Sequence, residues 1–173
     1  MSEVAPVLPD LLRPGLRLVF CGSAPGAVSA ARGAYYAHPG NRFWPILAEG
    51  GFTPGRWAPK DYPRLLERGI GLTDLAKYAS GNDADLPADA YDVEDLARRI
   101  REARPAMLAF TAKAPAAAFL GVRTTALSYG RIEGPKEFPP LWVLPSTSGS
   151  GARHWDPRPW LALGEWFRAG LPP

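Results

Sequence analysis

Apolar residues along this chain gather in short continuous runs, separated by polar stretches rich in Gly and Pro. The run "LRLVFCG" (16–22) is apolar on successive positions and ends at glycine, as expected of a strand covered on both faces. "AMLAFTAK" (106–113) and "LWVLPSTSG" (141–149) repeat the pattern, and "GIGLTDLA" (69–76) is a weaker fourth case. Each run gives way to small or polar residues at its C-terminal end.

Between the runs the apolar spacing becomes helical. "NRFWPILAEGG" (41–51) predicts a helix opened by Asn41 as N-cap, with Pro45 in its first turn, and closed by a glycine pair. "YDVEDLARRIREARP" (91–105) predicts a helix capped by Asp92 and stopped by Pro105. Val93, Leu96, Ala97, Ile100 and Ala103 share one of its faces. "PWLALGEWFRAG" (159–170) predicts a closing helix. Strands alternating with helices imply an α/β fold with a mainly parallel sheet covered on both faces. In such sheets ligands bind beyond the carboxyl ends of the strands. That rule lines up "GSAPGA" (22–27), "TDLAK" (73–77), "TAK" (111–113) and "PSTSGSGARH" (145–154) along one edge.

Composition narrows the class. A chain of 173 residues, 46% apolar and 21% charged, predicts a single globular domain over 1–173. No run reaches the ~18 apolar residues of a membrane span. The start, "MSEVAPVLPDLLRPG", lacks a basic segment followed by an apolar one, so an intracellular, cytoplasmic protein is expected. Cys21 is the single cysteine and reads as a buried small residue. With two histidines and no ligand spacing, no metal site is expected. The net charge of +3 is unevenly spread. Asp83 to Asp95 holds six acidic residues and no basic one, so the remainder carries 20 basic against 11 acidic, or +9. Sixteen of the 20 basic residues are Arg, which suits forked contacts to phosphate and a polyanionic partner.

Three loops could carry chemistry. In "GSAPGA", Gly22 and Gly26 permit close backbone approach, but Ser23 is its one polar side chain. Neither G-x-G-x-x-G nor the P-loop pattern occurs. In "YYAHPGNRFW" (35–44), Tyr35 and Tyr36 either stack on a planar ligand or divide between core and surface. His38 is either a general base or the residue that orders its turn. In "LPSTSGSGARHW" (144–155), the hydroxyls and N–H groups of Ser146, Ser148, Gly149 and Ser150 suit phosphate oxygens. Arg153 and His154 are expected on the DNA-facing surface if the partner is nucleic acid.

The collinear series "LRLVFCGSAPG…YYAHPGNRFWPIL…GGFTP…GIGLTDL…LWVLPSTSG" resembles the mismatch-specific uracil/thymine DNA glycosylases of the uracil-DNA glycosylase superfamily, from about Pro14 to Arg153. The resemblance implies an α/β/α sandwich around a short, mainly parallel sheet. It implies a cofactor-free monomer that flips uracil, or a related damaged or mismatched base, out of double-stranded DNA and hydrolyses its N-glycosidic bond. It places the base pocket at Ser23, Ala24, Gly26, Ser29 and Tyr36, with the ring of Tyr36 against the base. The loop holding Ser146, Ser148, Gly149, Ser150, Arg153 and His154 would meet the duplex.

The departures are informative. The family's first motif typically reads Gly-Ile-Asn-Pro-Gly, and its Asn positions the attacking water; Ala24 stands at that position here. The insertion loop also lacks the apolar wedge of some relatives. A carboxylate can orient water and face an oxocarbenium-like sugar. Asp74 is the first candidate for that role, and Asp83 and Asp85 are the second. Three alternatives stay open: Asp74 as a turn cap, a protein that binds mismatches or abasic sites without cleaving, and a small-molecule α/β enzyme.

Overall fold

The computed structural model describes residues 4–87 and 89–170, and of Asp83 the backbone only. The elements run β1 (Leu18–Gly22), α1 (Ala27–Arg32), α2 (Phe43–Glu49), β2 (Ile70–Asp74), α3 (Val93–Ala103), β3 (Leu108–Phe110), α4 (Lys113–Leu120), β4 (Gly130–Ile132), β5 (Leu141–Val143) and α5 (Pro157–Ala169). Segments of 3₁₀ helix lie at Pro59–Arg68, Asp83–Asp85, Thr124–Ala126 and Gly149–His154. Among the described residues, the strands form one sheet in the order β2-β1-β3-β5-β4. It is parallel except for β4, which runs antiparallel to β5 at the edge.

The continuous apolar runs are explained by two cores, one on each face of the sheet. Leu18 and Phe20 of β1 point to one side, with Leu72, Ala109 and Trp142, and meet α2, α5 and Leu65. Val19 and Cys21 point to the other, with Leu108, Phe110 and Val143, and meet α3 and α4 through Leu96, Ile100 and Ala116. Alternation at period two thus feeds both faces. The result is the α/β/α sandwich expected. Trp160 anchors the first core: it is fully buried, stacks on Phe20 at 5.5 Å, and its Nε1–H donates to the Pro145 carbonyl at 2.9 Å. Burial of a side chain of this class contributes about 1.5–3 kcal/mol or more.

Two expectations are refined. The helix read from Asn41 begins at Phe43 with Arg42 in the cap position, yet Asn41 Oδ1 still accepts from the Phe43 N–H at 2.9 Å. The closing helix starts two residues before its expected limit, at Pro157, where Asp156 accepts from the Arg158 N–H. Asp92 caps α3 as read, accepting from the Asp95 N–H. The elements α1, α4 and β4 were not foreseen. β4 is three residues long and only half-buried, so it lacks the continuous apolar run of the inner strands.

The N-terminal segment closes the β2 edge. Leu11 forms an antiparallel bridge to Leu72, and the Val7 N–H donates to the Lys77 carbonyl at 2.7 Å. An edge covered in this way offers no free ladder to another chain.

Gly164 is where α5 crosses the end of α2. A Cβ there would overlap the Gly50 carbonyl, which is backbone and cannot swing aside. Gly164→Ala is expected to lower stability by at least the ~1–3 kcal/mol typical of overpacking, read as an earlier urea midpoint at unchanged slope.

Candidate active site

Parallel pairing of β1 with β2 puts Gly22 beside Asp74, and the loops leaving these strands are bonded together. The Leu75 N–H donates to Gly22 O (2.9 Å), the Ala76 N–H to Ser23 O (2.7 Å) and the Gly81 N–H to Pro25 O (2.9 Å). Beside them the Thr111 N–H donates to Cys21 O at 3.0 Å, and the Arg42 N–H to Thr147 O at 2.9 Å. These ties converge the carboxyl ends of β1, β2, β3 and β5 on one cavity of about 900 Å³. Ser23, Ala24, Gly26, Ser29, Tyr36 and Asp74 line it together with Ser146, Ser148, Gly149 and Ser150.

Asp74 is the one carboxylate of the three candidates found in this lining. Asp85 is exposed and outside it. The side chain of Asp83 lies outside the described residues. Asp74 is 3% exposed, and its Oδ2 is buried without a hydrogen-bond partner. A Cβ added at Gly22 would stand 2.9 Å from Asp74 Oδ1, 3.2 Å from the Tyr36 hydroxyl and 3.4 Å from Thr111 Oγ1. Glycine at 22 is therefore what admits three oxygens to the end of β1. The reading of Asp74 as a turn cap is not met, because its side chain makes no cap bond and faces the cavity.

Behind Asp74 lies a buried ion cluster. Lys77 Nζ is 2.8 Å from Asp10 Oδ1 and donates to the Leu8 carbonyl at 2.7 Å. Arg99 reaches Asp95 Oδ2 at 2.9 Å, Asp10 Oδ2 at 3.3 Å and the Asp74 carbonyl at 3.1 Å, and also donates to Thr73 Oγ1. The Thr73 hydroxyl in turn donates to Asp10 Oδ1 at 2.7 Å. Burial pushes the Asp74 carboxyl up to about 7; Lys77 and Arg99 oppose the rise, and Asp10 adds to it. Such a carboxyl is suited to exchanging a proton near neutrality.

Tyr36 takes a left-handed backbone conformation (φ 52°), which is uncommon outside glycine. Its ring stacks on Phe43 with centroids 3.8 Å apart, so only the opposite face is left for a planar ligand. Its hydroxyl pairs with Thr111 Oγ1 at 3.2 Å. Tyr35, by contrast, is a core residue whose hydroxyl donates to the Pro9 carbonyl. Ser29 is drawn into structure: its hydroxyl accepts from the Ala37 N–H at 3.0 Å. His38 orders its turn, with Nδ1 accepting from the Gly40 N–H at 2.9 Å; the proton of the neutral ring then sits on Nε2. The Ser146, Ser148 and Ser150 hydroxyls form a chain of 3.2 and 2.9 Å contacts. Arg153 and His154 are exposed beside them, and Arg42 lies over the Trp155 ring at 5.4 Å.

Sequence reasoning missed Thr111, Lys77 and Arg99. Thr111 ends a strand already placed at the site's edge, so "TAK" held the signal. Arg99 had none, because a charge in the run Arg98, Arg99 and Arg101 reads as a solvated one.

A family model for the uracil DNA glycosylase superfamily matches residues 9–166, and the chain belongs to that superfamily. Among solved structures it is similar to "a putative Uracil DNA glycosylase from Methanosarcina acetivorans", determined by solution NMR. The two share 20% identity and a TM-score of 0.64, over 93% of this chain and 96% of the other. At that identity the likeness bears on the fold alone.

The raised Asp74 carboxyl has a thermodynamic consequence. Its folded value, about 7, exceeds the ordinary 3.8, so its contribution to stability is full below about 3.8 and is lost as pH rises through 7. Asp74→Asn removes that loss. The variant's advantage over the wild type is expected to grow by up to ~1.4 kcal/mol per pH unit between those limits, then level off. Urea unfolding of both proteins from pH 4 to 8.5 measures it.

Proposed function

We propose that this chain is a monofunctional uracil-DNA glycosylase of the mismatch-specific kind, acting as one domain and as a monomer without a cofactor. The single observation that carries the reading is Asp74: a buried carboxylate with a free oxygen, at the strand ends where the superfamily's first motif would otherwise supply an Asn and Ala24 supplies a methyl group.

In this mechanism a uracil nucleotide leaves the duplex and enters the cavity over Ser23, Ala24 and Gly26, with its base against the open face of Tyr36. The C1′–N1 bond breaks, its electron pair leaves with the base, and positive charge develops on the sugar. The ionised Asp74 faces that charge and accepts a proton from a water whose oxygen bonds to C1′. The departing base anion takes up a proton from solvent, Asp74 releases the one it accepted, and the products are the free base and an abasic sugar. The Ser146–Ser150 loop, with Arg153 and His154, would hold the flanking phosphates.

Asp74→Ala is expected to lower single-turnover release of uracil from a duplex by ~10²–10⁴-fold while leaving duplex binding intact. Ala24→Asn is expected to restore part of the loss if both groups serve one water. Because the ionised form is required, wild-type excision should rise with pH and level off above about 7. Undiminished excision by Asp74→Ala would sink the assignment. Tight duplex binding without release from any uracil duplex would leave a protein that binds and does not cleave.

Arg153→Ala is expected to weaken duplex binding and to reduce the slope of log K against log salt by about one phosphate contact. Titrations at four salt concentrations test this. An unchanged slope with unchanged affinity would remove Arg153 from the interface.

A further inference from the structure

The surroundings of the cavity differ in charge. Gly149, Ser150 and Gly151 of the 3₁₀ segment Gly149–His154 line it, and Arg153 and His154 of the same segment are exposed. Asn82 and Ala84 also line it, and Asp85 and Asp89 are exposed next to them in sequence. Phosphate approach is favoured at Arg153 and His154 and opposed at Asp85 and Asp89. In the segment that leads to Asn82, Lys77 is 7% exposed and engaged with Asp10 and the Leu8 carbonyl. Tyr78, next to it and three residues before the cavity-lining Gly81, is 64% exposed.

Tyr78 is displayed on a rigid mount. Its segment is tied to the pocket loop at both ends, by Ala76 N–H to Ser23 O (2.7 Å) and Gly81 N–H to Pro25 O (2.9 Å). Lys77 beside it is clamped through its ammonium and through its carbonyl, which accepts from the Val7 N–H. Tyr129, exposed to a lesser degree, carries the Lys113 ammonium on its ring at 4.6 Å. Tyr78 has no ring or cation partner among the described residues. The Ser146–Arg153 loop has no large apolar side chain of its own.

We propose that Tyr78 stacks on a DNA base bordering the nucleotide held in the cavity. The inference rests on the glycosylase reading above. Removing one nucleotide from a duplex leaves its neighbours with an unstacked face, and an exposed aromatic ring held rigidly beside the cavity loop can cover it.

The test uses the full chain and a duplex with a stable tetrahydrofuran abasic analogue, so that binding is read without cleavage. Tyr78→Ala is expected to weaken binding about 5- to 150-fold. Tyr78→Phe and Tyr78→Trp should retain wild-type affinity, and the salt slope should stay unchanged in all three, because no charge is removed. Affinity for an intact duplex should change far less. Wild-type affinity in Tyr78→Ala overturns the proposal. So does a Tyr78→Phe variant as weak as Tyr78→Ala, which would assign the contact to the hydroxyl. A uracil-release assay run in parallel separates the two readings. Release by the wild type with normal binding by Tyr78→Ala rejects the stacking and keeps the glycosylase. Weakened binding by Tyr78→Ala in a protein that releases no uracil keeps the stacking and rejects the glycosylase.

Discussion

Where β1 and β2 end side by side, an aspartate carboxyl is enclosed over a glycine, and one of its oxygens is buried with nothing to accept from. Leaving such a group unsatisfied costs about 1–3 kcal/mol, and ionising it costs more. The surrounding structure holds the residue by its backbone rather than by its carboxyl. The strand ladder fixes its Cα, Arg99 binds its carbonyl, and the preceding Thr73 is locked by Asp10. The carboxyl itself is thereby kept in place without being used up. A ligand that supplies a hydrogen-bond donor or a positive charge would recover what folding leaves unspent.

The cluster behind Asp74 has a second effect. Two cations and one anion lie close enough to act on the carboxyl, with the cations opposing the rise that burial causes. Without Lys77 and Arg99 the carboxyl would rise further and be protonated over more of the neutral range. The pair does so indirectly, since both are committed to Asp10 and neither bonds the Asp74 carboxyl. Electrostatic tuning and access for a reacting atom are thus assigned to different side chains.

Much of this was legible in the chain itself. Fully apolar strands ending in small residues placed the sheet, its two covered faces and the edge that carries the cavity. Asp74 stood out because it follows such a strand in a loop set otherwise poor in charged chemistry. What stayed hidden has physical causes. β4 is short, half-exposed and antiparallel, so it has neither alternation nor a continuous run. Arg99 and Lys77 look like solvated surface charges in sequence and become buried only through partners 89 and 67 residues away. The left-handed Tyr36 and its stack on Phe43 depend on a turn whose geometry no spacing encodes. Asp85, equal in chemistry to Asp74, follows the strand by too many residues to share its burial.

The segment from Val7 to Leu11 does more than seal an edge. Val7 bonds Lys77, Leu8 binds the Lys77 ammonium and borders the cavity, Pro9 receives the Tyr35 hydroxyl, Asp10 joins both cations, and Leu11 bridges β2. Of these five successive residues Leu8 lines the cavity itself, and the other four hold what stands behind it. On a ribosome this segment emerges before β1 and β2 and has nothing to close against until the two have paired. The pocket's acidity is consequently a property of the finished fold, set only when residues 7–11 are laid over β2 and the segment that follows it.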